Sequence, residues 1–311
     1  MRNVSWVYLI GAVLLLVAPT VFYPVLLMKV LCFALFACAF NLLLGYVGLL
    51  SFGHAAFLGS AAYTTGLAMT RLSITPELGI ALGVVMAAVL GLIVGALAIR
   101  RQGIYFAMIT LALAQMVYFF CLQAPFTGGE DGLQGVPRGK LLGVLSLEND
   151  LVMYYFVVVV FVLGFWVIQR TIHSPFGQVL QAIRENEARA LSLGYHVDRY
   201  KLLAFVLSAA LAGLAGATKT LVLGFATLTD VHWATSGEVV LMTLVGGVGT
   251  VVGPVIGALV IVVLQNELAD KVGPWVTVIM GLIFIACVLA FRRGIVGEML
   301  ARLPVNKGPR D

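Results

Sequence analysis

The sequence predicts an all-α polytopic membrane protein with a single transmembrane domain over residues 1–311, and three observations support this fold class. Hydrophobic residues make up 61% of the chain and charged residues 11%, against roughly 45–50% and about 25% in soluble domains. Long stretches such as 30–70 carry no charge, whereas about 20 apolar residues suffice for one bilayer span. The 34 glycines allow the close helix packing that is typical of membrane proteins.

About eight helices are predicted to cross the bilayer completely, each within a run that carries few or no charges. Their bounds are 5–22, 25–45, 50–70, 78–99, 103–122, 151–170, 201–222 and 273–291. Gly45, Gly48 and Gly53 mark a break between the second and third of these helices, so a hairpin or a discontinuous helix is expected there.

The apolar segment 237–268 is interrupted by the glycine-rich stretch 246–254. Broken helices are tolerated at membrane depth where they are buried in protein or line a cavity. We therefore expect two short helices, about 237–247 and 252–268, that either re-enter the membrane from one side or cross it twice. Paired breaks in the two halves indicate an internal repeat with a transport pathway at its interface. The pathway candidates are Asn41, Ser51, His54, Gln115, Gly246, Gly247 and Gly249.

The distribution of Lys and Arg predicts that both termini are cytoplasmic, because cytoplasmic loops carry an excess of these residues. This orientation places the loop 171–200 and the tail 292–311 inside and the loop 123–150 outside. Lys29 is then counted with the outside charges, although it lies near the start of the span 25–45, and Lys219 is expected to extend to the outer interface. No acidic or basic residue is expected in the middle of a span, which disfavours a secondary transporter driven by protons or sodium.

The inside loop 171–200 is expected to hold two short helices. Ser174 is a good cap for a helix that begins at Pro175, and the residues that follow place an apolar face at helical spacing. Asn186 is a good cap for a second helix, which Gly194 would end in a left-handed conformation. Two readings of this loop stay open: a docking element for a cytoplasmic partner, or a connector between spans.

The outside loop contains a glycine-rich acidic stretch that is expected to be flexible: Thr127, Gly128, Gly129, Glu130, Asp131 and Gly132. It lacks the alternating acidic spacing of a calcium loop, and the four cysteines lack the CxxC spacing of a metal or redox site. No metal site is therefore expected. Contact with an extracytoplasmic partner and a simple turn remain as readings of this loop.

Several function classes lack their sequence motifs. No phosphate-binding P-loop, zinc-binding HExxH or G-x-S-x-G nucleophile elbow is present, so neither ATP hydrolysis nor an intramembrane enzyme is expected. The net charge of +5 comes without a clustered basic patch, so nucleic acid is not an expected partner. His54, close to the first glycine break, is interpreted as a hydrogen-bonding residue at a helix end rather than as a ligand.

Several motifs, in this order, resemble the LivM-type permeases of branched-chain amino acid ABC importers. The motifs are Asn41–Phe57, Arg101–Ala107, Thr127–Gly132, Ser174–Glu187, Tyr200–Phe205 and Gly246–Pro254. The resemblance implies a permease subunit in the bacterial cytoplasmic (inner) membrane that imports leucine, isoleucine and valine. Urea, amides and aromatic acids are the alternative substrates for the same architecture.

The resemblance also implies partners: a LivH-like second permease subunit, LivG/LivF-like ATPases and a periplasmic solute-binding protein, all working at the lipid bilayer. This chain would bind no cofactor, since its partners use the ATP. By the same resemblance, a coupling helix would dock into the ATPases through Arg184, Glu185, Asn186, Glu187, Arg189 and Gly194. The segment 188–190 and Lys219 depart from the family's usual pattern.

Overall fold

The computed structural model describes residues 11, 15–20, 22–141, 143, 145–290 and 294–302. The span predicted at 5–22 and the tail 292–311 lie largely outside them. The helices, in chain order, are α1 (Pro24–Asn41), α2 (His54–Arg71), α3 (Pro76–Ala98), α4 (Ile104–Gln123), α5 (Asp150–Ile172), α6 (Pro175–Glu185), α7 (Glu187–Ser192), α8 (Val197–Leu223), α9 (Trp233–Gly246), α10 (Gly253–Val272), α11 (Val276–Ala290) and α12 (Gly294–Arg302). The π-helical turn Leu42–Val47 continues α1.

Helix α1 is the centre of the bundle. It packs against α5, α8, α9 and α10, and its side chains from Val30 to Asn41 are all buried. A helix that is apolar on every side belongs in the interior of a protein, and α1 is apolar except at Lys29 and Asn41. The central helix therefore carries one polar residue near each of its ends, Lys29 near the first and Asn41 at the last.

Helices α2, α3 and α8 pack closely against one another, and α8 also packs against α1. Small residues allow this approach: a Cβ atom on Gly216 of α8 would lie 2.8 Å from the carbonyl carbon of Leu58 on α2. Van der Waals packing of this kind drives helix association where lipid offers no hydrophobic force between helices. The expected close packing through glycine is thus confirmed.

Five of the eight predicted spans are helices long and apolar enough to cross a membrane: Pro24–Val47, α3, α4, α5 and α8. The structure also has helices at the predicted spans 50–70 and 273–291, but neither helix is both long enough and apolar enough. Helix α2 is rich in small and hydroxyl-bearing residues because it is buried among other helices, and α11 has only 15 residues. The all-α polytopic fold class is confirmed.

The two short helices expected in 237–268 are present as α9 and α10, each extended by four residues at the end away from the break. They form a hairpin in which the backbones touch, since a Cβ atom on Gly257 would lie 2.9 Å from the backbone nitrogen of Gly246. Whether this hairpin re-enters the membrane or crosses it twice stays a prediction.

The position of Lys219 differs from expectation. Lys29 lies inside α1, as the predicted span 25–45 implies. Lys219 does not extend to the interface: it is buried, with 8% of its surface exposed, and it forms an ion pair with Asp230. Asp230 lies in the turn between α8 and α9, and this turn places its carboxylate beside the Lys219 ammonium group. A buried ammonium group paired in this way has no need to reach water.

The loop between α4 and α5, residues 124–149, forms a compact cap instead of the expected flexible loop. It contains the antiparallel strands β1 (Lys140–Leu141) and β2 (Leu145–Ser146). Leu133 pairs with Ala226 through backbone hydrogen bonds of 2.8 and 2.9 Å. Arg138 of the cap donates to Asp150 at 2.6 Å and to the carbonyl of Val222 at 3.1 Å. These bonds fix the cap to the ends of α5 and α8.

Candidate functional site

The two glycine breaks meet at one point, which we call the break junction (Asn41, Gly45, Gly249 and Thr250). The side-chain amide of Asn41 donates to the carbonyl of Thr250 at 2.8 Å. Its oxygen accepts from the backbone nitrogen of Gly249 at 2.9 Å. Asn41 is buried, with 3% of its surface exposed. One amide therefore satisfies backbone groups that the broken helix pair leaves unpaired.

Glycine is required at the junction for steric reasons. A Cβ atom on Gly45 would lie 2.7 Å from the backbone nitrogen and 2.9 Å from the Cα atom of Gly249. Gly249 itself has a φ of +77°, a conformation that glycine adopts without a steric penalty. The two breaks can touch only because neither residue carries a side chain.

Arg184, at the C-terminal end of α6, reaches the same place. Its guanidinium Nη1 donates to the carbonyl of Gly45, within the π-helical turn Leu42–Val47, and its aliphatic chain lies beside Gly48. π-helical turns are frequent at functional sites. Arg184 was predicted to contact an ATPase; in this structure its guanidinium group bonds to the first break.

Residues 174–196, which we call the docking segment, fold as the sequence predicts. The Ser174 hydroxyl accepts from the backbone nitrogen of Gly177 at 3.3 Å, and the Asn186 side chain accepts from that of Arg189 at 3.0 Å. Gly194 has a φ of +86°. Both predicted caps and the predicted left-handed stop are confirmed, so the two short helices are defined by their local sequence.

The docking segment is fixed to the base of α8. Glu187, the first residue of α7, forms an ion pair with Lys201 of α8 at 2.7 Å, and the Lys201 side chain is only 3% exposed. Ile183, Ala190 and Val197 form a small buried core between α6, α7 and α8. Glu187 therefore holds α7 in place through a bond within this chain.

The outer surface of the docking segment combines exposed apolar and charged side chains. Leu191 is 58% exposed and Leu193 is 70% exposed, and Glu185 and Arg189 are exposed beside them. Grouped apolar residues that are open to solvent are typical of a protein contact surface. We call Glu185, Arg189, Leu191 and Leu193 the docking face.

Five of the seven predicted pathway residues are not part of the junction, and Ser51, His54 and Gln115 are three of them. His54 begins α2 and is completely buried; its Nε2 lies 2.9 Å from the Ser208 hydroxyl, so the helix-end interpretation is confirmed. The Ser51 hydroxyl accepts from the backbone nitrogen of Gly53 at 3.2 Å. Gln115 lies half-buried on α4. Within the described part of the chain, none of the bonds that join the breaks involves these three residues.

Gly246 and Gly247 end α9 at the second break. A Cβ atom on Gly246 would lie 3.0 Å from the nitrogen of Pro254, which explains the close turn into α10. Gly247 has a φ of +121°. Both residues therefore shape the break.

The six predicted contact residues of the cap divide by exposure. Thr127 is buried, and its hydroxyl donates to the carbonyl of Ala124 at 2.6 Å; Gly132 is buried too. Gly128, Glu130 and Asp131 are exposed, and Gly129 is half-buried. Thr127 and Gly132 shape the turn, and the side chains of Glu130 and Asp131 are exposed on its surface.

A cavity of about 450 Å³ lies beside the first break. Its lining is almost entirely apolar and includes Gly48, Leu49, Phe52, Gly103 and Phe106. Phe52 donates its backbone N–H to the Thr110 hydroxyl at 3.2 Å, which ties this stretch to α4. The first break therefore adjoins, at Gly48, space that an apolar group fits.

Sequence reasoning missed several polar residues that join helices. Thr250, in the turn between α9 and α10, was not singled out, and neither were Lys201, Glu238 and Gln265, which form hydrogen bonds or ion pairs between helices. Lys29 was considered only in the count of charges on each side of the membrane. A signal was available for Lys29 and Glu238, because each is a single charge flanked by a long apolar run.

The comparison with protein families gives one match. Residues 23–288 match the family described as branched-chain amino acid transport system / permease component. This range contains all the residues of the break junction, the docking segment and the cap. No solved structure matches the chain.

Curated relatives have similar names. The chain is 28% identical over 253 residues to the high-affinity branched-chain amino acid transport system permease protein LivM of Escherichia coli (strain K12), covering 74% of this chain and 60% of that protein. A probable LivM of Methanocaldococcus jannaschii is 26% identical over 67% of this chain and 63% of its own length.

A ribose import permease protein, RbsC of Bacillus subtilis (strain 168), is 32% identical over half of each chain. Autoinducer 2 import system permease proteins match as well. The chain spans about 60% of the length of the LivM relatives from Escherichia coli and Salmonella typhimurium. Relatives with different named cargoes thus share this type of chain.

Proposed function

Because the chain belongs to the family of branched-chain amino acid transport system permease components, we propose that it is the LivM-like membrane subunit of an ATP-driven importer for leucine, isoleucine and valine. In this role the chain is a permease and not itself an enzyme. It forms the pathway together with a LivH-like permease subunit and undergoes alternating access when separate LivG/LivF-like ATPases bind and hydrolyse ATP.

The observation that carries this proposal is the link between the docking segment and the break junction. Arg184 lies just before α7 and donates to the carbonyl of Gly45, and Gly45 contacts Gly249 across the junction. A movement of the docking segment by a partner therefore acts on both breaks. Short glycine-containing turns absorb large backbone changes at hinges, so the junction is suited to act as the gate.

In the proposed orientation both termini and the docking segment are cytoplasmic, and the cap faces the periplasm of a bacterial inner membrane. The docking face then meets the ATPases through Leu191 and Leu193, with Glu185 and Arg189 beside them. On the opposite side, Glu130 and Asp131 are placed to contact a periplasmic solute-binding protein. Helices α5 and α8 each have one end at the cap and the other at the docking segment, as alternating access requires.

The substrate assignment draws on the names of the LivM relatives and on the apolar cavity beside the first break. A branched aliphatic side chain matches such a lining, since burial of apolar surface is favourable. Ribose is a polar, uncharged molecule and matches this lining less well.

The proposal is tested by reconstituting the chain with its co-purifying subunits in proteoliposomes, with the binding protein outside and ATP inside. We expect uptake of labelled leucine that requires ATP and that valine suppresses but urea, benzoate and ribose do not. Uptake of one of the competitors in place of leucine would change the cargo and keep the permease. Leucine uptake without any ATPase subunit would contradict the mechanism.

A further inference from the structure

Five polar side chains meet inside the bundle near the cap, and we call them the polar cluster. They come from four helices and one turn: Lys29 of α1, Lys219 of α8, Asp230 of the turn 228–230, Glu238 of α9 and Gln265 of α10. Lys29, Lys219 and Glu238 each lie about 6–8 Å inside the cap end of their helix, from the residue count and the helical rise. The three charges are therefore at one depth.

Two members of the polar cluster satisfy each other. The Lys219 ammonium group forms an ion pair with the Asp230 carboxylate, and it lies 5.3 Å from the ring centroid of Phe33. Asp230 also accepts from the backbone nitrogen of Thr227 at 3.3 Å. With both side chains at most 10% exposed, this pair is a structural element of the bundle.

The other two charges have no opposite charge in direct contact. Within the described part of the chain, no carboxylate lies within 4.0 Å of the Lys29 ammonium group, and no basic group lies that close to the Glu238 carboxylate. Glu238 accepts from the neutral Gln265 amide at 3.2 Å. Lys29 and Glu238 lie on helices that pack against each other, α1 and α9, and the two charges interact electrostatically.

Stability does not explain this arrangement. Charged side chains inside a membrane domain are costly unless they are paired, and such residues usually serve function. Both side chains are half-buried rather than sealed, so a ligand can reach them. The cluster has two positive and two negative groups, and a ligand without net charge leaves that balance unchanged.

We propose that Lys29 and Glu238 bind the charged head group of a zwitterionic α-amino acid, the Lys29 ammonium group taking its carboxylate and the Glu238 carboxylate its ammonium group. This inference rests on the proposed import of amino acids and assigns a site for their recognition. A neutral sugar or urea could form hydrogen bonds with Lys29 and Glu238 but no ion pairs. An aromatic acid could form an ion pair with Lys29 but would leave Glu238 without an opposite charge.

The site lies at the opposite end of α1 from the break junction. Twelve residues separate Lys29 from Asn41, or about 18 Å along the helix. A substrate held at the polar cluster is thus on the cap side of the junction, where the proposed binding protein releases it. The site would receive the amino acid before the gate opens.

The test measures binding of labelled leucine to the complete complex in nanodiscs, without the binding protein. Competitors are valine, 4-methyl-2-oxopentanoate, which lacks the ammonium group, and 3-methylbutylamine, which lacks the carboxylate. We expect valine to displace leucine and each analogue to be weaker by about tenfold or more, because charge-assisted hydrogen bonds are strong.

The variants assign each ligand group to one residue. In the Lys29→Gln variant, 3-methylbutylamine should compete with labelled leucine as well as unlabelled leucine does. In the Glu238→Gln variant, 4-methyl-2-oxopentanoate should do so. Leucine binding should weaken about tenfold in both. Glu267→Gln and Lys271→Gln, which remove charges from an exposed ion pair on α10, should change nothing.

Equal discrimination against the analogues in wild type and variants would overturn the inference, and so would the absence of saturable leucine binding at millimolar concentration in a complex that imports leucine. The inference would also fail if both variants slowed uptake without altering selectivity, because that result is expected if Lys29 and Glu238 only form an ion pair with each other in another conformation of the transporter.

If a variant does not assemble, Lys29→Arg and Glu238→Asp can replace it, because they retain the charges. These variants should preserve selectivity while weakening binding, and lost selectivity would contradict the site. A wild-type complex that imports no leucine would refute the proposed function instead.

Discussion

The side-chain amide of Asn41 bonds to the backbone carbonyl of Thr250 at 2.8 Å, although 209 residues separate them in the chain. Together with the bond from Gly249 to the same side chain, it joins the end of the central helix to the turn between α9 and α10. One buried amide therefore joins the two glycine breaks.

Replacing Asn41 with Ala should destabilise the protein by about 1–3 kcal/mol, because the half-buried carbonyl of Thr250 and N–H of Gly249 lose their partner. Leucine uptake should fall more than the amount of assembled complex does, since the junction is the proposed gate. Thermal unfolding and uptake measure the two effects. Gln115→Ala, which removes a half-buried amide outside the junction, should be close to wild type in both.

Replacing Gly45 with Ala should abolish most transport, because its Cβ atom would lie 2.7 Å from the backbone of Gly249. We expect a cost of about 1–3 kcal/mol from overpacking. Gly237→Ala is the matched control: it lies in α9, and a Cβ atom there meets nothing within 4 Å. That variant should be neutral or slightly stabilising. Equal effects of the two substitutions would contradict the steric role of Gly45.

Replacing Asp230 with Asn should destabilise the protein by about 3–5 kcal/mol, because it leaves the buried ammonium group of Lys219 without its partner. Adding Lys219→Met should restore much of that loss, since the unpaired charge is then gone. Thermal unfolding of the single and double variants measures the coupling. Additive losses would show that the two side chains do not depend on each other.

Replacing Leu191 and Leu193 with Asp should remove the ATPase subunits from the purified complex while the chain itself stays folded, because both side chains are exposed. Co-purification measures this loss. Leu72→Asp makes the same change at an exposed position at the cap end of α2 and should leave the ATPases bound. Retention of the ATPases by the double variant would refute the docking face.

The sequence predicted what depends on neighbours along the chain. The caps at Ser174 and Asn186 and the stop at Gly194 follow from local residue types, and the structure confirms them. The burial of Lys219 could not be predicted in this way, because it depends on Asp230 folding back over the helix ends.

Contacts between distant segments were equally out of reach. The glycine breaks were recognised as breaks, but nothing local in the sequence indicates that Asn41 joins them or that Arg184 reaches Gly45. Lys29 and Glu238 lie close enough to interact only because α1 packs against α9. Apolar runs in a sequence predict where the helices lie, but they do not predict which helices pack against each other.

The most direct test of the account is the ratio of leucine imported to ATP hydrolysed by the Arg184→Lys variant in proteoliposomes. Lysine keeps the charge but lacks the guanidinium geometry, so the docking segment should lose its bond to the first break. We expect ATP hydrolysis near the wild-type rate and leucine uptake reduced about tenfold or more. Arg199→Lys, an exposed arginine at the start of α8, should keep the wild-type ratio. An unchanged ratio for Arg184→Lys would contradict the proposal that Arg184 couples the docking segment to the gate.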